Sequence, residues 1–241
     1  MSLFTLRAFA QSEEVTTDDF KKYSALYPDK DGVALKLENH ARIEIDKEGE
    51  IQIAVDHYEE RLYLNDNYKH YAGTSVGFSS FTEIMNLKPK VYIPNENSYL
   101  KLPVFAIREE DSYTQNIFHD DAKQYVIYYN DLQKGGKTSL AYTELKKFPE
   151  FFGRFFFESY FPVEEAVFTV ETPKDMELII ELFGDHKDKV VYTKEEKKKT
   201  VIHRWEAKKL PEMARSQGSV NPMYNSTHVI VRIGDYVAKG E

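Results

Sequence analysis

Residues 148–173, FPEFFGRFFFESYFPVEEAVFTVETP, decide the fold class of this chain. The first half is dense in phenylalanine and tyrosine. The second half alternates, with Ala166, Phe168 and Val170 sharing one face of the pattern. A period of two is typical of a strand with one buried face. The rings before it are too bulky for a helix stripe and too apolar for an exposed loop, so the segment predicts a hydrophobic corner of a large β-sheet protein.

Similar alternation recurs on both sides of this segment, with turn residues about every 10 to 15 residues, which favours a β-sandwich. Residues 41–46 and 51–55 alternate on either side of a Lys-Glu-Gly turn at 47–49, and this pattern predicts a hairpin. Residues 176–183 and 189–192 flank a Gly-Asp pair and predict a second hairpin.

Helical patterns are few. Residues 17–23 open with Thr-Asp-Asp and predict one short capped helix, while residues 81–85 and 142–147 predict single helical turns. No internal repeat or low-complexity linker divides the chain. We therefore predict an all-β fold, a large antiparallel β-sandwich with few short helices. Residues 16–241 are expected to form a single extended module that ends at a linker to a downstream domain.

The N-terminus suggests export. Ala8, Phe9 and Ala10 have the small-x-small form that signal peptidase accepts. We interpret residues 1–15 as the remainder of a secretory signal and a disordered start. The predicted location is therefore outside the cytoplasm, in the periplasm or at the cell surface of a bacterium.

Composition excludes several classes of protein. Of the 241 residues, 41% are hydrophobic, enough for a core, and the net charge is −8. A negative balance argues against binding to nucleic acid or to an anionic membrane. No apolar run approaches the roughly 20 residues needed to cross a bilayer. The chain has no cysteine, which excludes disulfides, thiolate metal sites and a cysteine nucleophile.

Motifs for other chemistry are also missing. The seven histidines are scattered, with no H-E-x-x-H, and neither G-x-S-x-G nor a phosphate-binding glycine loop occurs. The cluster His119, Asp120 and Asp121 is the most ligand-like, because one histidine and two carboxylates in a loop can hold a divalent cation. The alternative, which we favour, is a solvated turn. We predict no catalytic residue, no cofactor and no metal site.

Paired carboxylates leave a hydrolase as a third alternative. The pairs are Glu59 and Glu60, Glu109 and Glu110, and Glu164 and Glu165. A glycosidase needs two carboxylates facing one groove. Neighbouring residues of a strand point to opposite faces, so none of these pairs is a good candidate.

Aromatic side chains are the candidate interaction surface, because rings stack on sugars and contact peptide side chains. The alternative is that strands favour tyrosine and phenylalanine for packing alone. The candidate interdomain or ligand surface, called here the aromatic surface, consists of Tyr142, Phe148, Phe151, Phe152, Phe155, Phe156, Phe157 and Tyr160.

Five segments together carry a family resemblance. They are YPDKDGVAL at 27–35, FSSFTEI at 78–84, the glycine-led strand at 135–142, residues 155–172 with their Phe-Pro-Val element, and WEAKKLP at 205–211. In this order the chain resembles a bacterial domain of unknown function that precedes transglutaminase-like (papain-like cysteine) domains in exported proteins. The similarity covers most of the chain.

The resemblance implies an all-β module without catalysis of its own. The catalytic cysteine, histidine and aspartate of the parent protein would then lie beyond Glu241. The first hypothesis is an accessory domain that scaffolds the downstream transglutaminase-like or peptidase-like domain, or presents protein substrate to it. The alternative is a free-standing β-sandwich that binds carbohydrate or peptide.

Overall fold

The computed structural model describes residues 17–112, 121–148, 152–213 and 225–236. One α-helix, α1 (Asp18–Leu26), precedes the strands of this described part. The strands are β1 (Gly32–Ile45), β2 (Ile51–Tyr63), β3 (Gly73–Phe78), β4 (Thr82–Asn95), β5 (Ser98–Pro103), β6 (Ile107–Asp111), β7 (Lys123–Tyr128), β8 (Lys137–Lys146), β9 (Arg154–Phe156), β10 (Val163–Pro173), β11 (Met176–Phe183), β12 (Val191–Glu196), β13 (Thr200–Leu210) and β14 (His228–Tyr236). The predicted all-β fold is confirmed.

The predicted helix and first hairpin have local causes. The Thr17 hydroxyl accepts a hydrogen bond from the Phe20 amide at the start of α1, as an N-cap residue does. In the turn between β1 and β2, the Asp46 carboxylate accepts bonds from two backbone amides, and Gly49 takes a φ of 89°. Both predictions are confirmed.

The strands form one large sheet and two small ones. Sheet A has eight strands in the order β12-β13-β10-β1-β2-β8-β4-β5, sheet B has the order β3-β7-β6, and sheet C has the order β11-β14-β9. Within sheet A, β1 and β10 run parallel, with Ala34 opposite Val163, while the other neighbours are antiparallel. Sheet A is therefore mixed, a detail that the sequence did not predict.

Sheets B and C both pack on one face of sheet A, called here its inner face. Ile127 of sheet B, Val229 of sheet C and Phe168 of sheet A belong to one hydrophobic core. The outer face of sheet A is covered in part by α1, where Tyr23 packs with Val33 and neighbouring leucines. The second layer of the sandwich is thus two separate three-stranded sheets.

Residues 148–173 form the predicted corner. The chain leaves sheet C at β9 and enters sheet A at β10. Phe155 on β9 stacks on Phe168 of β10, with ring centroids 5.2 Å apart. The aromatic run therefore fills the space between two layers.

Three local predictions are wrong. Residues 176–183 and 189–192 do not form a hairpin, because β11 pairs with β14 and β12 pairs with β13. A short 3-10 helix at Lys187–Lys189 carries the chain from one sheet to the other. The two predicted helical turns at 81–85 and 142–147 lie largely in β4 and β8, where Thr82 pairs with Lys146. Pairing across the sheet outweighs the local preference.

Candidate binding cleft

The inner face of sheet A changes character along β2. Ile51, Ile53 and Val55 are buried in the core, and the same face continues with His57, Glu59 and Arg61 before it returns to the buried Tyr63. Charged groups are costly on a core-facing strand unless they are paired or solvated. Their presence marks the middle of the inner face as a site that is not built for packing alone.

These polar residues form the floor of a cleft of about 340 Å³, called here the polar cleft. One wall is Thr74, Ser75 and Val76 on β3, and the other is Arg154, Phe155 and Phe156 on β9. The floor residues are Leu37, Asn39, His57, Glu59, Arg61, Leu140 and Tyr142. The cleft therefore lies in the gap between sheets B and C, with sheet A beneath it.

One ion pair lies on this floor. The Arg61 guanidinium donates to the Glu59 carboxylate at 2.8 Å, and both side chains are about one quarter exposed. Burial alone would lower the pKa of Arg61, but the charge of Glu59 outweighs burial and raises it. The Nε of Arg61 is buried without a hydrogen-bond partner among the described residues. Such a group is unusual in a site optimised only for stability.

A second network lies beside the first. His57 stacks on Tyr142, with centroids 4.4 Å apart, and its Nε2 lies 3.0 Å from the Glu144 carboxylate. Lys146 donates to the same carboxylate at 2.8 Å. Burial favours a raised pKa for Glu144, but these two partners outweigh it and lower the pKa. Burial raises the pKa of the Tyr142 phenol, so both groups keep one protonation state at neutral pH.

A small cavity of about 70 Å³ extends this region toward Phe152 and Glu144. It shares Asn39, His57 and Arg154 with the polar cleft. The arrangement offers donors, acceptors and an aromatic stack within one groove. It suits the recognition of a polar ligand better than proton transfer, because a carboxylate with a lowered pKa is a poor general acid.

Three members of the predicted aromatic surface are buried. Phe152, Phe155 and Phe157 are each exposed by less than a tenth, and Phe157 is fully buried. Phe155 contacts Phe157 edge to face at 5.0 Å. In this chain these rings belong to the core between sheets A and C.

The remaining members are spread over different surroundings. Tyr142 and Phe156 line the polar cleft. Phe148 and Tyr160 are exposed, by 45% and 78%. Phe151 lies outside the described residues. The structure therefore brings Tyr142, Phe155 and Phe156 together around the cleft, and the docking role of the aromatic surface stays a prediction.

Other sequence candidates do not come together. Glu59 lies in the polar cleft, whereas Glu60 points to the outer face and pairs with Lys137. His119 and Asp120 lie outside the described residues, and the Asp121 carboxylate accepts a bond from the Ser80 amide. Within the described ranges, no group of three or more metal-ligating side chains is assembled. No described helix is both long and apolar enough to cross a bilayer.

Sequence reasoning missed His57, Arg61 and Arg154 as site residues, and it set Glu59 aside with the other paired carboxylates. A signal for the three residues on β2 was present. The alternation that begins at Ile51 continues with period two through charged residues, which places charge on a core-facing side. For Arg154 there was none, because its place in the cleft depends on how sheet C sits on sheet A.

The fold and the cleft define an all-β domain with a polar groove between its layers. The chain belongs to the DUF3857 family, a domain of unknown function with a solved structure, whose sequence profile matches residues 38–214. No curated protein matches the chain in sequence.

Solved structures show where the same fold occurs. A chain from Parabacteroides distasonis ATCC 8503, described as a "putative protease", superposes with a TM-score of 0.69 at 14% identity. The match covers 83% of this chain and 40% of that one, so this chain spans less than half of that length. At this identity the likeness shows the fold alone.

Two further structures are more distant. A "putative nutrient binding protein" from Legionella pneumophila matches with a TM-score of 0.38 at 4% identity, over 84% of this chain and 67% of that one. Yeast LTA4 hydrolase in complex with bestatin matches with a TM-score of 0.37 at 9% identity, over 92% and 31%. Similarity at this level carries no argument.

Proposed function

We propose that this chain is a non-catalytic accessory module of an exported bacterial protein, and that it scaffolds a transglutaminase-like or peptidase-like domain or presents protein substrate to it. The observation that carries the proposal is the fold likeness to the Parabacteroides chain, in which the shared part is 40% of the whole. In that protein the fold is one part of a larger chain. The absence of cysteine here fits a division in which another domain supplies the nucleophile.

The polar cleft supports the presenting role. It is an open groove in and beside which Arg61 and Lys146 hold the carboxylates of Glu59 and Glu144, with no nucleophile activated by a neighbouring base among the residues described. Such a groove can hold a polar segment without acting on it. Recognition residues on a rigid sheet are also well suited to hold a substrate in one orientation.

The accessory role is tested by reading the source gene past the codon for Glu241. We expect the frame to continue and to encode a cysteine, a histidine and an aspartate in that order, within about 100 to 150 residues, the usual size of a domain. A stop codon at that position would contradict the scaffold and move the proposal to the binding module described below.

The aromatic surface is the proposed contact with the downstream domain. If it docks another domain, the isolated chain exposes an apolar patch of roughly a few hundred Å². We expect an environment-sensitive dye to bind this chain more strongly than an ordinary folded monomer of equal size. The Tyr160→Ser variant should reduce the dye signal, because Tyr160 is 78% exposed. If the unmodified chain binds no more dye than an ordinary folded monomer of equal size, this contact is removed from the proposal.

Export is a separate part of the proposal. Ala8-Phe9-Ala10 supports it as a signal peptidase site. Mass spectrometry of the protein recovered from its native host should find a mature N-terminus at Gln11. An intact N-terminus on protein recovered from the cytoplasm would contradict export.

The second candidate function is a free-standing peptide- or carbohydrate-binding module. The polar cleft favours it, because a groove of about 340 Å³ that combines hydrogen-bonding side chains with an aromatic stack can hold a polar ligand. This reading needs no downstream domain and becomes the leading one if the frame ends at Glu241.

A further inference from the structure

Within the described part of the chain, the β9 wall of the polar cleft is an outer strand of sheet C with one unpaired edge. The Val231 amide donates to the Gly153 carbonyl, and the Phe157 amide donates to the Thr227 carbonyl. Hydrogen-bonded and non-hydrogen-bonded pairs alternate along an antiparallel ladder. The backbone N–H and C=O of Phe155, opposite Val229, therefore also point toward β14. The backbone groups of Arg154 and Phe156 therefore point away from β14, toward the cleft.

The β3 wall is a free edge as well. The Tyr129 amide donates to the Ala72 carbonyl, which places the backbone groups of Thr74 and Val76 toward β7. The backbone groups of Ser75 point the other way, and sheet B ends at β3. Among the described residues, no strand pairs with these edges of β3 and β9, and both strands line the same cleft over the same floor.

Free edges recruit other strands unless they are covered. A strand added to the β3 edge in this gap would extend sheet B toward β9, and a strand that also bonded to β9 would join sheets B and C into one layer. Three residues on each wall span about 10 Å at about 3.3 Å per residue, which is enough to pair with three residues of an added strand.

The charge at the walls of the cleft indicates which side chains the added strand should carry. Arg154 is exposed, its guanidinium lies 5.7 Å from the Phe156 ring centroid, and it has no ion pair among the described residues. The floor cation Arg61 is already paired with Glu59, and Lys146 of the adjoining small cavity is paired with Glu144. The unbalanced charge at the walls is therefore positive and favours an acidic side chain on the outward face of the added strand.

We propose that the polar cleft binds an extended acidic segment of a partner protein, which adds as one strand between β3 and β9 with a carboxylate beside Arg154. Binding by strand addition draws affinity from main-chain bonds and specificity from alternate side chains. The biological meaning of this inference rests on the proposed presenting role, because it names the kind of segment that is presented. The binding itself is tested on this chain alone, so its outcome is independent of the gene test.

The probe is an acetylated and amidated peptide of alternating threonine and valine around one central aspartate. It is titrated into the ¹⁵N-labelled chain and followed by amide chemical shifts and hydrogen exchange. We expect the largest shifts at Ser75, Arg154 and Phe156. Exchange at these amides should slow by about tenfold or more, because groups that face solvent become donors in a ladder.

Two variants distinguish strand addition from nonspecific binding of the peptide. Ser75→Pro removes the donor that faces the cleft without touching the β3–β7 ladder, and we expect affinity to fall about tenfold. The matched control is Glu109→Pro on the outer edge of sheet B. Its backbone also faces away from β7, because Tyr128 bonds to Ala106 and Ser112 bonds to Ala122. We expect the control to bind within about twofold of the parent, since the altered edge is remote from the cleft.

The role of charge is tested by reversing the charge of the peptide and of Arg154 in turn. A peptide with lysine in place of aspartate should bind about two- to fivefold more weakly, the usual scale of an exposed ion pair. The Arg154→Glu variant should reverse this preference.

Four results would overturn the proposal. They are no shift with any peptide, equal binding by Ser75→Pro and the parent, perturbation of the same amides by cello-oligosaccharides but not by peptides, and self-association of the free chain that Ser75→Pro abolishes. The third result would point to carbohydrate, and the fourth to a second copy of this chain.

Discussion

Each polar side chain on the inner face of β2 is held by a specific partner. His57 has Tyr142 and Glu144, and Glu59 has Arg61. Paired polar groups of this kind hold one another in a single arrangement, even though the Arg61 Nε has no hydrogen-bond partner among the described residues. The floor of the cleft should therefore be rigid. Substitution of one of these residues should change the free energy of unfolding as well as the affinity for a ligand.

Glu144 makes this testable through pH. Its pKa is lowered from the usual 4.5, so the folded state favours the carboxylate more than the unfolded state does. The resulting stability is present above the unfolded pKa and is lost as pH falls through the folded value. We expect Glu144→Gln to lower the free energy of unfolding at pH 7 by about 1–2 kcal/mol, with the difference shrinking between about pH 5 and pH 3. Urea unfolding at stepped pH measures it.

The control for this experiment is Glu109→Gln. Glu109 pairs with Lys123 at 2.7 Å, but both side chains are nearly half exposed. An exposed pair is worth about 0–1 kcal/mol, so the control should change little at any pH. A difference between Glu144→Gln and the parent that is constant with pH would contradict the assigned role of Glu144.

The aromatic run offers one buried and one exposed ring whose contributions to stability can be compared. Phe157 is fully buried, whereas Tyr160, three positions later, is 78% exposed. We expect Phe157→Ala to cost about 3–5 kcal/mol of unfolding free energy and Tyr160→Ala about 0.5 kcal/mol or less. Equal costs in denaturant unfolding would show that the corner between β9 and β10 is not packed as described.

At the scale of elements, β9 is short and depends on its pairing with β14. Gly153 comes just before it with a φ of 85°, and a Cβ there would lie 1.8 Å from the Val231 carbonyl oxygen. A side chain would therefore break the bond that aligns the two strands. This glycine sets the position of one wall of the polar cleft.

We expect Gly153→Ala to destabilise the chain by about 2–4 kcal/mol, because it adds both strain and a clash with backbone. Gly77→Ala on β3 is the control. A Cβ at Gly77 meets only the Lys123 carbonyl oxygen at 3.9 Å, so its cost should be about 1 kcal/mol or less. Thermal unfolding by circular dichroism compares them, and a Gly153→Ala variant as stable as the Gly77→Ala variant would contradict the β9 geometry.

Elements with local causes were predictable, and those with distant causes were not. The helix cap at Thr17 and the hairpin at 47–49 are encoded within a few residues. The parallel pairing of Ala34 with Val163 has no local signal, because it depends on how the chain returns across the sheet. The cleft belongs to the second group. The charges on β2 are visible in the sequence, but Arg154 and Ser75 meet them only after sheets B and C have settled on sheet A.

At the scale of the whole molecule, one core spans all three sheets. Trp205, the single tryptophan, is 2% exposed and stacks near Phe168 at 5.6 Å. It reports on the β13 side of the core, while far-ultraviolet circular dichroism reports on all strands. The single module predicted for residues 16–241 therefore implies one shared transition.

We expect the unfolding curves from Trp205 fluorescence and from circular dichroism to coincide, because a shared core unfolds cooperatively. A Phe157→Ala variant should shift both curves together and serves as the control for sensitivity. A tryptophan transition that precedes the other would divide the chain into two units and contradict the single module.

The parallel pairing of β1 with β10 in sheet A can form only after a long interval of translation. β1 leaves the ribosome about 130 residues before its neighbour β10. At about 5–20 residues per second, that interval is on the order of ten seconds. During it, β1 can pair with β2, but its other edge stays open until β10 has been made. How much of this protein a cell recovers intact therefore depends on what shields β1 while the ribosome completes the rest.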